Sequence, residues 1–254
     1  MAICPAAILI AGFHGNTDPL LIFFVLLSVW ILESKGNILA GASLGMAMNI
    51  QIVAVILIPT LLFYIPFWRK RIVCLFAIAT VFLIPTAPYL LQDARAVIRA
   101  VLMYNSSVGY WGFSFLASRL VVRIQGFRAG LNYWKYPLLA AIVILAWWLS
   151  RRSARLSLFN QFGVILSLFL FFSPGFGIQY LYWLVPWTIS LGAAITALQY
   201  FCQGAFAFLA YNSWSHGVPW FFAVCTWWHG RLAVVQLIAW ANVGTAIRLH
   251  APPP

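Results

Sequence analysis

The chain is a series of long apolar runs separated by short polar or basic interruptions. Met1 to Phe13 is apolar, lacks the basic start of a signal peptide, and is short of the ~20 residues a full span needs. It reads as the tail of a helix that begins earlier. His14-Gly15-Asn16-Thr17-Asp18-Pro19 breaks the run. Pro19 suits the first turn of a following helix over 20–32, because its missing N–H is not needed there. That helix stops at Glu33-Ser34-Lys35-Gly36-Asn37, a turn cluster with a helix-ending glycine. Residues 38–68 are apolar up to Arg69-Lys70-Arg71. At about 1.5 Å per residue, one helix of that length overshoots a bilayer. Pro59 and Pro66 therefore predict two shorter helices, 38–57 and 60–68, as a partly re-entrant pair. A single long tilted helix is the alternative.

Further spans are expected at 72–91, 136–149, 156–172 and 178–201, with one or two more around 203–211 and 218–240. Between the first two of these lies a long polar loop, 92–135, carrying Asp93, Arg95, Arg99, Arg119, Arg123, Arg128 and Lys135. The pattern predicts an all-α, polytopic transmembrane helical bundle of about seven to nine membrane helices, short or broken around 38–68. Residues 1–254 read as a single transmembrane domain without internal repeats.

Composition narrows the class. Of the 254 residues 64% are hydrophobic and 7% charged, and the mean hydropathy is +0.96. Ordinary soluble domains carry about 25% charged residues, so a soluble globular domain, a disordered chain and a disulfide-rich module are excluded. Cys4, Cys74, Cys202 and Cys225 have no metal-site or redox spacing and read as small core hydrophobes. The net charge is +12, with only 3 acids: Asp18, Glu33 and Asp93. The basic residues are scattered among apolar runs, which argues against nucleic acid and for membrane lipid or an anionic substrate. Basic clusters beside short loops mark the cytoplasmic side. Lys35, Arg69-Lys70-Arg71 and Arg151-Arg152-Arg155 share that side if 38–68 is a hairpin-like pair. His14–Asp18, the 92–135 loop and Ser173–Tyr180 then share the extracytoplasmic face. The location expected is a bacterial inner membrane, crossed many times.

The candidate chemistry sits in these same segments. His14-Gly15-Asn16-Thr17-Asp18 combines an imidazole, an amide, a hydroxyl and a carboxylate at a membrane boundary, either as a functional site or as a helix-capping turn. Asn49 and Gln51 inside an apolar helix read first as interhelical hydrogen-bonding residues, and Gly41 and Gly45 as a close-packing pair. Tyr104-Asn105-Ser106-Ser107 and Gly109-Tyr110-Trp111-Gly112 offer aromatic faces and amides, suited to an interfacial belt or to a sugar or prenyl platform. In Gln179-Tyr180-Leu181-Tyr182-Trp183, Tyr180 and Trp183 share a helix face.

Together these segments resemble the GT-C superfamily of integral-membrane glycosyltransferases, in particular mannosyltransferase-like members of the family-87 type. The likeness rests on His14-Gly15-Asn16-Thr17-Asp18 and on Ala40-Gly41-Ala42-Ser43-Leu44-Gly45-Met46-Ala47 leading to Pro59 and Arg69-Lys70-Arg71. The Tyr104 to Gly112 stretch and Gln179 to Pro186 complete it. It implies inverting transfer of a mannose-like sugar from a polyprenyl-phosphate donor to an extracytoplasmic lipid, glycan or protein acceptor. In such a site Asp18 would be the base, beside His14. Asn16, Asn105 and Gln179 would bind sugar hydroxyls with His14, and Tyr104, Trp111 and Tyr180 would line the sugar or prenyl group. Arg95, Arg99 and Arg119, with Arg123 and Arg128, would neutralise the phosphate. The family's acidic first loop normally precedes the His-Gly-Asn segment, so the chain reads as the C-terminal part of a larger GT-C module, inactive as written unless Asp18 substitutes. Gln51 also departs from the Lys or Arg of many relatives. The cofactor stays open, since the chain itself implies no divalent metal. Oligomeric state stays open too. A non-catalytic membrane subunit and a lipid-linked-sugar transporter are the alternatives.

Overall fold

The computed structural model describes residues 4–34, 36–102, 107–108, 115–116, 133–152, 156–214, 237–241 and 243–244. The described chain is helical apart from one antiparallel bridge of two-residue strands, β1 (Ser107–Val108) and β2 (Gly175–Phe176), pairing Ser107 with Phe176 and Val108 with Gly175. Its helices are α1 (Pro5–Ala7), which widens into a π-helix at Ile8–Phe13, α2 (Asp18–Glu33), α3 (Asn37–Ile50), a 3-10 helix at Ile52–Leu57 and α4 (Ile58–Tyr64). They continue with α5 (Trp68–Leu102), α6 (Lys135–Arg152), α7 (Leu158–Phe172), a 3-10 helix at Ile178–Leu184, α8 (Val185–Ile189) and α9 (Ala193–Trp214). Two stretches, Trp68–Val101 and Ala193–Tyr211, are long and apolar enough to cross a membrane. The expected seven to nine spans go beyond these two.

Several boundaries differ from those the sequence predicted, each for a local reason. The break expected at Pro59 falls at Gln51, whose backbone is extended (φ −147°, ψ 124°). Pro59 sits in the first turn of α4, where a proline costs no hydrogen bond. Residues 92–102, expected to lie in the loop, instead continue α5 to Leu102. Asp93 leaves helical geometry (φ −152°, ψ 85°), and its Oδ1 accepts the Ala96 N–H at 2.9 Å. It thereby caps a fresh helical segment that carries Arg95 and Arg99. The single span expected at 178–201 is a 3-10 helix, the short α8 and the start of α9. The break is at Gly192, whose φ of +95° suits glycine alone. Residues 203–211 belong to that same α9. Residues 218–236 of the span expected near 218–240, and the loop residues Tyr104, Asn105, Trp111, Arg119, Arg123 and Arg128, lie outside the described residues.

The contacts group the chain into two compact units. One comprises residues 17–106 and 139–165. Its centre is the antiparallel pair α2–α3, with α3 also packed on α5. Ser28 Oγ donates to the Ala40 carbonyl at 2.9 Å, and Ser43 Oγ to the Phe24 carbonyl at 2.8 Å, so hydroxyls join α2 and α3 in both directions. Gly41 and Gly45 let α3 lie against the α5 backbone. A Cβ on Gly45 would stand 2.8 Å from the Ile78 carbonyl oxygen, and one on Gly41 would run into that of Cys74. Asn49 Nδ2 donates to the Val81 carbonyl at 2.9 Å. Val81 is the residue whose helical partner four positions on is Pro85, which has no N–H to give. The amide thus serves a carbonyl that the proline deprives of its donor.

The other unit comprises residues 1–16, 107–138 and 166–254. Here α1 packs on α9, and a Cβ on Gly204 would meet the Pro5 ring at 2.7 Å. Its core is aromatic. Trp183 and Trp187 are each 1% exposed, and the Trp183 ring lies 4.3 Å from Tyr180 and 6.3 Å from Phe169. Two indoles finish α7, with Trp134 Nε1 donating to the Phe172 carbonyl at 3.0 Å and Trp240 Nε1 to the Phe171 carbonyl at 2.8 Å. Those are carbonyls that a helix end leaves without intrahelical donors.

Candidate functional site

The chain has 3 acids, and each has a distinct structural position. Glu33 is exposed at the end of α2, and its Oε1 accepts the Leu158 N–H at 3.2 Å. It faces the positive start of α7, an arrangement that stabilises by about 0.3–1 kcal/mol. Asp93 caps its own helical segment. Asp18 differs from both. It opens α2, it is 0% exposed, and its Oδ1 accepts a hydrogen bond from Gln51 Nε2 at 3.0 Å.

That contact joins two interruptions of the backbone, the start of α2 and the extended residue between α3 and the following 3-10 helix. A break frees a residue from helical geometry and lets its side chain reach across. A carboxylate withdrawn from water is costly unless it is hydrogen-bonded, and the Gln51 amide supplies one such bond. The capping alternative fares less well at Thr17. This residue precedes α2, but its side chain makes no capping bond; its carbonyl accepts from Leu20 and Leu21 N–H instead.

In the other unit, the π-helix sets the position of His14. The wider turn gives it a bond from its N–H to the Leu9 carbonyl at 3.0 Å. Gly15 follows with φ +66°, and the Asn16 N–H returns to the Ile10 carbonyl at 3.3 Å. His14 Nδ1 lies 2.7 Å from Tyr211 Oη, with the two rings edge to face at 5.4 Å. The imidazole is exposed and the tyrosine buried, so α9 holds the ring by one nitrogen. The tautomer decides which atom of that pair donates.

The remaining expected residues divide between the units. Asn16 and Gln179 are half-buried, and the Gln179 side chain folds back beside Gly177, where a Cβ would stand 2.7 Å from its Nε2. Tyr180 is buried against Trp183, the i, i+3 pairing expected of a shared helix face. Arg95 and Arg99 are exposed and one turn apart on the continuation of α5. Among the described residues no group of three or more His, Cys, Asp or Glu is placed to hold a metal ion. Cys4, Cys74 and Cys202 are buried, as small core side chains.

Two site partners escaped the sequence. Tyr211 is 197 positions from His14 and has no local signature. Gln51 makes the interhelical hydrogen bond expected of it, but the sequence did not pair it with the buried acid. A polar side chain at a point where an apolar run changes helix type is the signal that could have found it. No family model, curated protein or solved structure matches the chain.

Proposed function

We propose that the chain is a multi-pass membrane glycosyltransferase of GT-C type, using a polyprenyl-phosphate sugar donor. The observation that carries this reading is Asp18. Two of the three carboxylates act as helix caps, and the third is buried beside an amide at a double break in the helices. Ionisable groups set inside apolar helices are costly and mark functional sites by default. The membrane setting is supported by α5, whose most apolar stretch is only 17% buried within the protein. A core helix of a soluble protein would be mostly covered.

In the proposed reaction Asp18 accepts the proton of an acceptor hydroxyl as that oxygen bonds to the anomeric carbon. The bond from that carbon to the phosphate oxygen breaks, and polyprenyl phosphate leaves as an anion, with inversion. Arg95 and Arg99 are the described cations offered to that anion. Asp18 is 0% exposed, so acceptor entry requires the start of α2 and the Gln51 break to part.

That same burial favours a second reading, a non-catalytic membrane subunit in which Asp18 and Gln51 only fasten two helix ends. Transfer of radiolabelled mannose from polyprenyl-phosphate-mannose, in membranes holding this chain, separates the two. Loss of transfer in Asp18→Asn, with the protein still folded, supports the enzyme. Transfer unchanged in Asp18→Asn removes Asp18 as base. No transfer with any sugar donor, but co-purification with a catalytic chain, supports the subunit.

A further inference from the structure

The start of α3 and the start of α5 enclose an open pocket of about 400 Å³ that the proposed transfer reaction does not use. It is lined by Arg69, Lys70 and Val73 of α5 and by Ile38 and Leu39 in the first turn of α3. The lining carries two cations and no carboxylate. Gly36, which precedes α3, has no side chain to accept the first amides of the helix. The third cation of the cluster is directed elsewhere. Arg71 Nε donates to the Ile65 carbonyl at 2.6 Å and caps the end of α4.

The neighbours of the pocket fix its level in a bilayer. Lys70 Nζ stands 5.3 Å from the centre of the Phe67 ring, and Arg69 Cζ 5.9 Å from that of Trp68. Both rings are exposed. Exposed aromatics paired with Lys and Arg belong at the headgroup level. One and two turns further along α5, Ile72 and Phe76 are exposed and purely apolar, Phe76 to 72%. A cationic mouth that passes into an apolar face within one turn matches the polarity of a phospholipid, whose phosphate carries charge and whose chains carry none.

We infer that this pocket binds the phosphate headgroup of an anionic membrane phospholipid. The charges of Arg69 and Lys70 meet the phosphate, and Ile38, Leu39 and Val73 meet the start of the acyl chains. The apolar wall is what selects a lipid over a soluble phosphate. The assignment stands whether or not the chain transfers sugar.

Native mass spectrometry of the purified full chain, exchanged against dioleoylphosphatidylglycerol or dioleoylphosphatidylcholine, tests it. The wild type should retain the anionic lipid about tenfold better than the zwitterionic one, and Arg69→Gln with Lys70→Gln should lose about that factor. Lys135→Gln with Arg151→Gln removes the same charge elsewhere and should retain the lipid. Leu39→Trp fills the pocket without changing charge and should lose it. Retention by Leu39→Trp, or by the folded Arg69/Lys70 variant, overturns the assignment. Equal loss in the Lys135/Arg151 control overturns it too, since binding is then general attraction. Displacement by glycerol phosphate would make the ligand a soluble anion. If the Arg69/Lys70 variant does not fold, Leu39→Trp decides.

Discussion

The α2–α3–α5 packing and the chain from Ile178 to Ile189 are both interrupted helical regions, and they fill their interiors in opposite ways. Around α3 the side chains are small. Glycines bring backbones together, and hydroxyls and an amide serve neighbouring carbonyls. Around the 3-10 helix and α8 the side chains are large, with Trp183, Trp187 and Tyr180 buried and the Trp183 ring packed against Tyr180 and Phe169. Small-residue packing leaves no room for error at a few positions, whereas aromatic packing concentrates contact area in a few side chains. The first should fail on addition of atoms and the second on their removal.

That contrast can be broken experimentally. The largest effect is expected from Trp183→Ala, a loss of about 3–5 kcal/mol for a fully buried indole, read by thermal or denaturant unfolding in detergent. A smaller loss than that of Gly45→Leu would undo the contrast. Gly45→Leu should cost about 1–3 kcal/mol, because the new side chain meets the α5 backbone at Ile78, while Met46→Leu on the exposed side of α3 should change little. Glu33→Gln should cost about 0.3–1 kcal/mol and lose most of that at high salt, since it removes a charge from the start of α7. A salt-independent cost would mean that packing dominates there. Asn49→Leu should be mildest, about 0.6 kcal/mol, the average for an interhelical hydrogen bond in a membrane.

Much of the small-residue region was legible in the sequence. The helix expected over 20–32 is α2 with two further residues at its start and one at its end, and the Gly41/Gly45 spacing packs on α5 as such spacings do. The helices α6 and α7 also lie where the apolar runs put them. Proline was a mixed guide. Pro66 lies in the break between α4 and α5, as expected, whereas Pro59 marks a helix start. Two further breaks are at Gln51 and Gly192, the second a glycine in the left-handed region. The site was legible only in part. Asp18 and His14 stand out as polar groups in an apolar chain, but their partners Gln51 and Tyr211 are set by tertiary packing, which no window of sequence contains.

The bond from Asn49 to Val81 has a consequence for the order in which the protein is made. A helix that carries Pro85 brings a carbonyl without its usual donor into whatever surrounds it. Synthesis runs from the N-terminus, so α3 and its amide exist before the proline-bearing helix emerges. The earlier element is ready to receive the later one, and the flaw in α5 is mended at docking. The two residues are therefore tied across the chain: Pro85→Ala should relieve most of the cost of Asn49→Leu, because restoring the backbone donor removes the need for the amide.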